Sequence, residues 1–177
     1  MKSRLALVAA LALVSCGPAT DRTEMKLDTG AKIAFTHPAS WNATVKGPSL
    51  GPTLELGPGK LDFKVLITAI PRKNGRFGTQ AELEEGVREK GRALLSTSLQ
   101  TDLLLLPVAG PEAKGFLYHL TDKKTEAGPG DYRELHQGAL VIGPYLLSAT
   151  ILTHTTDLDT VDEAMKVLAS ATYYEPN

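Results

Sequence analysis

Cysteine is nearly absent from this sequence, which has a single one, Cys16, among 177 residues. No disulfide can form within the chain, so its stability has to come from a packed core. The sequence also has no Cys-x-x-Cys or His-Glu-x-x-His pattern, so zinc has no recognisable ligand set. The Gly-Pro loops lack the Gly-Lys-Ser/Thr of a phosphate cradle. We predict that the protein is not an enzyme and that it uses neither a metal nor another cofactor.

Aromatic residues and basic stretches are scarce as well. One Trp, five Tyr and four Phe are scattered along the chain and offer no stacking platform for single-stranded nucleic acid. The formal net charge is −1, and no Lys/Arg-rich stretch supplies the electrostatic attraction on which nucleic-acid binding depends. We therefore expect no nucleic-acid partner.

The sequence also lacks a hydrophobic run long enough to cross a bilayer. Its longest one, residues 5–14, consists of Leu, Ala and Val and follows the positive residues Lys2 and Arg4. Ten helical residues reach about 15 Å, which is half of a hydrocarbon core of roughly 30 Å. This pattern is typical of a signal peptide.

The hydrophobic run ends in Leu-Val-Ser-Cys at residues 13–16, which resembles the lipobox of bacterial lipoproteins. We predict that residues 1–15 are a lipoprotein signal peptide and that Cys16 becomes the lipidated first residue. Two or three acyl chains, palmitate among them, would anchor the protein durably in a membrane. Gly17 is not the Asp that often marks inner-membrane retention, which favours the outer membrane, facing the periplasm. The alternatives are an ordinary secretory signal with a chance cysteine, or a buried free thiol.

The remaining 162 residues suffice for one domain with its own core. Loss of Lys2 and Arg4 with the signal peptide lowers the net charge from −1 to −3. Residues 16–24 are polar and aperiodic, and we interpret them as a lipidated tether that extends to about 26 Å. Residues 25–177 are predicted to form the domain.

Hydrophobic periodicity and turn residues predict strands first, then a helix, an antiparallel meander and a second helix. The first helix has a Thr79/Glu82 capping box, and the second is capped by Asp159 or Thr160. This order indicates an α+β fold, an antiparallel β-sheet covered by helices, in a single domain. The predicted elements are a hairpin over 25–36, strands over 53–56, 63–70, 102–109, 114–121, 132–142 and 145–153, and helices over 80–99 and 161–171.

A Phe-x-x-Pro-x-x-Trp segment, Phe35 to Trp41, ends the first hairpin. Together with the order of elements over about residues 25–175, it resembles the PsbP-like fold. That family includes the extrinsic PsbP protein of photosystem II, the Ran-binding Mog protein and bacterial lipoproteins of the DcrB type. The resemblance implies an α/β/α sandwich and a non-enzymatic accessory or adaptor role, with no particular partner. Trp41 covers the end of the core in one interpretation and lines a ligand groove in the other.

Three histidines form the strongest constellation of possible ligands. If the loop around residues 126–130 joins adjacent strands, His119 and His136 face each other across the pair. The next hairpin would bring His154 diagonally near His136, with Glu134 beside it. Such a sheet face would suit a metal or a proton-sensitive contact, although a register slip of one residue would disperse it. The alternative is a set of half-exposed polar residues on a solvated face.

The sequence thus predicts a lipid-anchored, non-catalytic binding or accessory module of the cell envelope, whose partner is a protein at or near the membrane. The rival hypothesis is a metal-binding protein or an enzyme that uses the His119/His136 face. A third is a subunit of an envelope assembly that docks through a β edge or the Gly-Pro loops.

Overall fold

The computed structural model describes residues 18–47, 51–59, 62–72, 77–124, 131–154 and 158–176. In these ranges the chain forms ten strands, two α-helices and one short 3₁₀ turn, Leu95–Thr97. The strands are β1 Thr20–Lys26, β2 Lys32–Pro38, β3 Asn42–Lys46, β4 Thr53–Gly57, β5 Phe63–Pro71, β6 Leu105–Ala109, β7 Lys114–Thr121, β8 Glu134–Ile142, β9 Tyr145–Thr153 and β10 Thr172–Tyr174, and the helices are α1 Gln80–Leu94 and α2 Leu158–Ala169.

The strands form two antiparallel sheets. One has seven strands in the order β3-β4-β5-β9-β8-β7-β6, and the other has three in the order β1-β2-β10. Helix α1 packs on one face of the large sheet, against β7 and β8. Helix α2 and the small sheet cover the other face, where the larger hydrophobic core lies. The predicted α+β architecture, a single domain with helices on an antiparallel sheet, is confirmed.

Strand β5 shows why the prediction of a central strand succeeds. Its side chains alternate between buried and half-buried positions, as expected of a strand with one face on the core. It pairs with β4 on one side and with β9 on the other. The meander strands β7 and β9 also have the predicted bounds, and β8 and β9 are joined through Gly143, whose φ of 49° suits a tight hairpin.

The N-terminal boundary of the domain was predicted wrongly. Residues 20–24 belong to β1, which pairs with β2 from Thr20 opposite Pro38 onward, so they are not part of a tether. Strand β1 is an edge strand, and only Met25 among its seven residues is fully buried. An exposed edge strand carries little hydrophobic alternation, which is why its first half was interpreted as aperiodic.

Several other elements differ from the prediction in their presence or bounds. Strand β3 lies within residues predicted as a loop, because its side chains are mostly exposed and its only aliphatic residues are Ala43 and Val45. Strands β6 and β8 begin later than predicted, at Leu105 and Glu134. The second helix starts at Leu158, so Asp159 lies in its first turn, where a carboxylate favours the helix dipole, and does not act as the predicted cap.

Helix α1 begins with the predicted capping box. The Thr79 side chain accepts a hydrogen bond from Glu82 N, and the Glu82 carboxylate accepts one from Thr79 N. The helix ends at Leu94 and not at 99, because the chain continues as the 3₁₀ turn. Gly91 permits close packing on the sheet, since a Cβ there would lie 2.9 Å from the Tyr118 ring of β7.

We expect Thr79→Ala to lower the free energy of unfolding by about 1 kcal/mol, because the Glu82 N–H in the first turn of α1 loses the hydroxyl that accepts its hydrogen bond. Urea denaturation of the two proteins measures the difference. Thr101→Ala, at an exposed bend outside any helix, is the control, and its effect should stay within about 0.5 kcal/mol. Equal effects of the two substitutions would show that the capping box contributes nothing.

Candidate functional site

The register of β7, β8 and β9 places five polar side chains next to one another. His119 pairs with His136, and Thr121 pairs with Glu134. Across the other edge of β8, Glu134 pairs with Thr153. Alternate residues of a strand share a face, so all five lie on the face that carries the larger core. We call this set the polar cluster.

The two imidazoles of the polar cluster stack on each other. The ring centroids of His119 and His136 are 4.4 Å apart, and the ring planes are inclined by 19°. This is the directly opposed arrangement that the sequence predicted for the pair. The two rings differ in exposure: the His119 side chain is 33% exposed, whereas His136 is 7% exposed.

Glu134 is the acceptor at the centre of the polar cluster. Its Oε2 atom accepts a hydrogen bond from His119 Nε2 and another from Thr121 Oγ1, each 2.7 Å long. The side chain of Gln100 extends this network, since its Nε2 donates to Thr121 Oγ1 and its Oε1 accepts from Thr121 N. A carboxylate that is 6% exposed is thus held by hydrogen bonds from two sides, which fixes the His119 ring.

His136 is the member of the polar cluster whose hydrogen bonding is incomplete. Its Nδ1 atom is buried and has no hydrogen-bond partner within the part of the chain that the structure describes. Burial, and secondarily the neighbouring charge of His119, lower the pKa of His136 to about 4, against the opposing effect of Glu134. The ring is therefore neutral at pH 7 and has one donor and one acceptor nitrogen.

A cavity of about 350 Å³ lies over the polar cluster. Two of its leucines are among the most exposed large apolar residues of the described chain: Leu104 is 72% exposed and Leu158, at the start of α2, is 66% exposed. Most of the cavity surface is apolar, and the polar groups converge on its floor. Its lining comprises Gln100, Asp102, Leu104, Leu106, His119, Glu134, His136, Thr153, Leu158 and Val161.

The other residues proposed from the sequence lie elsewhere. His154 follows the last residue of β9 and does not line the cavity, and its Nδ1 atom is bonded to the Asp131 carbonyl at 3.2 Å, so the predicted diagonal approach to His136 was wrong. Trp41 is 8% exposed and packs in the core, with its ring 5.4 Å from that of Phe63. Cys16 and the predicted signal segment 1–15 lie outside the described residues.

In the described residues, the two stacked histidines do not belong to a set of three or more metal ligands. Among the described residues, no group of three or more His, Cys, Asp or Glu side chains is placed so that it could hold a metal ion. The Glu134 atom nearest to His119 is also engaged by Thr121.

The sequence also contains one pattern that is typical of a nucleophilic serine. Residues 47–51 read Gly-Pro-Ser-Leu-Gly, which has the Gly-x-Ser-x-Gly spacing of a nucleophile elbow. Such an elbow joins a strand to a helix, whereas this segment connects the antiparallel pair β3 and β4. Ser49 itself lies outside the described residues.

Neither helix in the described ranges is both long enough and apolar enough to cross a membrane.

Comparisons with known proteins identify the fold. The solution structure of cyanobacterial PsbP (CyanoP) from Synechocystis sp. PCC 6803 is similar to this chain, with a TM-score of 0.55 and 17% sequence identity over 92% of this chain and 99% of that one. A Bacteroides thetaiotaomicron protein has a TM-score of 0.49 and 11% identity, over 81% of this chain and 45% of that one. No protein-family model and no curated protein matches the sequence. The chain is an α+β protein, and it has the PsbP-like fold that the Phe35–Trp41 segment and the order of elements predicted.

Proposed function

We propose that this protein is a lipid-anchored accessory module of the bacterial cell envelope that acts by binding and not by catalysis. The observation that carries the proposal is the position of the lipobox-like cysteine directly ahead of a PsbP-like domain. Strand β1 starts at Thr20, four residues after Cys16, so the domain would begin within a few residues of the lipid. The PsbP-like fold, which covers 92% of the chain, is consistent with a non-catalytic role.

The cavity over the polar cluster is the site that best supports binding. Small-molecule sites are concave and mostly apolar, and they have a few converging polar groups. The cavity has this composition, and it contains a group with a strongly lowered pKa, His136. A metal-dependent function has less support, because two stacked imidazoles supply only part of a ligand set.

We expect Cys16→Ser to abolish labelling by a fatty-acid probe in cells and to move the protein from the membrane fraction to the soluble fraction, because the thiol is the atom that accepts the lipid. Metabolic labelling followed by fractionation measures both outcomes. The matched control is Ser15→Ala, which keeps a small residue before the cysteine and should label normally. Labelling and membrane association that persist in Cys16→Ser would refute the anchoring proposal.

A further inference from the structure

We propose that the cavity over the polar cluster binds a small, uncharged and largely apolar molecule that carries one hydrogen-bonding group, such as an aromatic alcohol. This inference names the ligand class of the binding module proposed above and rests on that proposal. It depends on the volume of the cavity, on its apolar walls and on the charged and polar groups of its lining.

The volume sets the size of the ligand. A dry cavity of about 150 Å³ lined by apolar side chains holds benzene. The present cavity is about 350 Å³ and therefore has room for two fused rings or for one ring with a short chain. It also lies within the size range of small-molecule sites, although at its lower end.

The apolar walls of the cavity favour a ligand with an apolar body. Leu104, Leu106 and Leu158 line the cavity together with Val161. Leu104 and Leu158 are each more than half exposed. A ligand that covers them removes apolar surface from water, which is favourable at roughly 25 cal/mol per Å².

The polar side chains on the floor of the cavity favour a ligand with one hydrogen-bonding group. His136 lines the cavity, and its neutral ring has one donor and one acceptor nitrogen. A hydroxyl can act as donor or acceptor toward such a ring. The Oε2 atom of Glu134 already accepts hydrogen bonds from His119 and Thr121, so we assign the hydrogen bond of the ligand to the imidazole of His136.

The charges disfavour an ionised ligand. Two carboxylates, Asp102 and Glu134, line the cavity, and no Lys or Arg of the described residues does so. An anion would meet these two carboxylates, and His119, the one lining side chain that could offset their charge, is already paired with Glu134. A cation would have to leave water for an apolar chamber in which one Glu134 oxygen is already engaged by two donors.

A matched series of probes with one apolar body tests the proposal: 2-naphthol, naphthalene, 2-naphthoate and 2-naphthylmethylammonium. Binding is measured by fluorescence or calorimetry at pH 7 with the full chain carrying Cys16→Ser, so that neither acyl chains nor detergent compete. We expect 2-naphthol to bind about tenfold more tightly than naphthalene, as one net hydrogen bond provides. The two charged probes should bind more weakly than naphthalene.

Substitutions locate the binding. His136→Phe keeps a flat ring but removes both nitrogens, so 2-naphthol and naphthalene should then bind equally. Leu158→Ala at the exposed rim should weaken both probes several-fold, whereas Leu99→Ala, an exposed leucine outside the cavity, should change neither. Far-UV circular dichroism checks the fold of each variant, and Leu158→Ala alone remains decisive if His136→Phe does not fold.

The opposite results would overturn the proposal. These are an absence of binding by every probe, tighter binding of either charged probe than of 2-naphthol, a preference for 2-naphthol that survives His136→Phe, or equal effects of Leu158→Ala and Leu99→Ala. None of them bears on fatty-acid labelling of Cys16. A failure of this inference is therefore distinguishable from a failure of the anchoring proposal.

Discussion

Acidification from pH 6.5 to pH 4 is expected to cost the wild-type protein about 3 kcal/mol more of its free energy of unfolding than it costs the His136→Phe variant. The folded-state pKa of His136 is lowered to about 4 from an ordinary value of 6.5. Between these values the unfolded chain binds a proton at this position and the folded chain does not. The stabilisation is therefore complete above pH 6.5, decreases as the pH falls to 4, and then levels off.

Urea denaturation at several pH values measures this difference. The other ionisable groups around the cavity, His119, Glu134 and Asp102, are present in both proteins. The comparison between wild type and His136→Phe therefore isolates His136. Leu99→Ala is the control, because Leu99 carries no ionisable group and lies exposed outside the cavity, and its pH profile should parallel that of wild type. Parallel profiles for wild type and His136→Phe would mean that His136 is protonated in the folded state.

Gly138→Ala is expected to lower the free energy of unfolding by about 3 kcal/mol, the upper end of the usual cost of overpacking. Gly138 lies in β8 beside His136, opposite Leu117 of β7. A Cβ at this position would lie 1.9 Å from the Phe116 carbonyl oxygen and 2.7 Å from the Leu117 Cα. Both are backbone atoms of β7, so relief of the clash requires the two strands to separate.

Gly47→Ala is the matched control, because no atom of the described residues beyond its chain neighbours lies within 4 Å of the Cβ that it would add. Thermal and urea denaturation compare the two variants with wild type. We also expect Gly138→Ala to disturb the stacking of His119 on His136, which the His119 and His136 ring signals in NMR spectra would report. If Gly138→Ala were as stable as Gly47→Ala, β7 and β8 would not approach as closely as described.

The opposition of His119 and His136 could be predicted because strand ends and turn residues determine it locally. The limits of Lys114–Thr121 and Tyr145–Thr153 were predicted to the residue, and Gly-Pro turns lie at residues 110–111, 128–129 and 143–144 between the meander strands. Antiparallel neighbours joined by a loop then pair their ends, which leaves few registers to choose from. The prediction needed only the strands and the turns that join them.

His154 was misplaced because the alternation of side chains along β9 was not followed to its end. His136 pairs with Ile151, so Ile151 and Thr153 share the cavity face with it. Successive residues of a strand point to opposite faces, so a strand extended to His154 would direct this side chain away from His136.

The cavity itself could not be predicted, since its walls come from segments distant in sequence. Gln100 and Leu104 belong to the connection after α1, and Leu158 belongs to α2. Their meeting depends on how α2 packs on the large sheet, and this packing is tertiary information. Gln100 could not be recognised as part of the site from the sequence, because a single amide in a polar turn is ordinary. Only the structure shows its two hydrogen bonds to Thr121.

The early start of β1 has a consequence for how the protein would explore its surroundings. Ala19 O already accepts a hydrogen bond from Ala39 N, so the backbone is fixed to the small sheet from that residue onward. The three residue steps from Cys16 to Ala19 span at most about 10 Å, compared with the 26 Å reach of the predicted tether. A domain held so closely to a bilayer by its lipid would diffuse laterally and rotate in the plane of the membrane, but it could not move far from the membrane surface. Its encounters with other molecules of that membrane would then be two-dimensional.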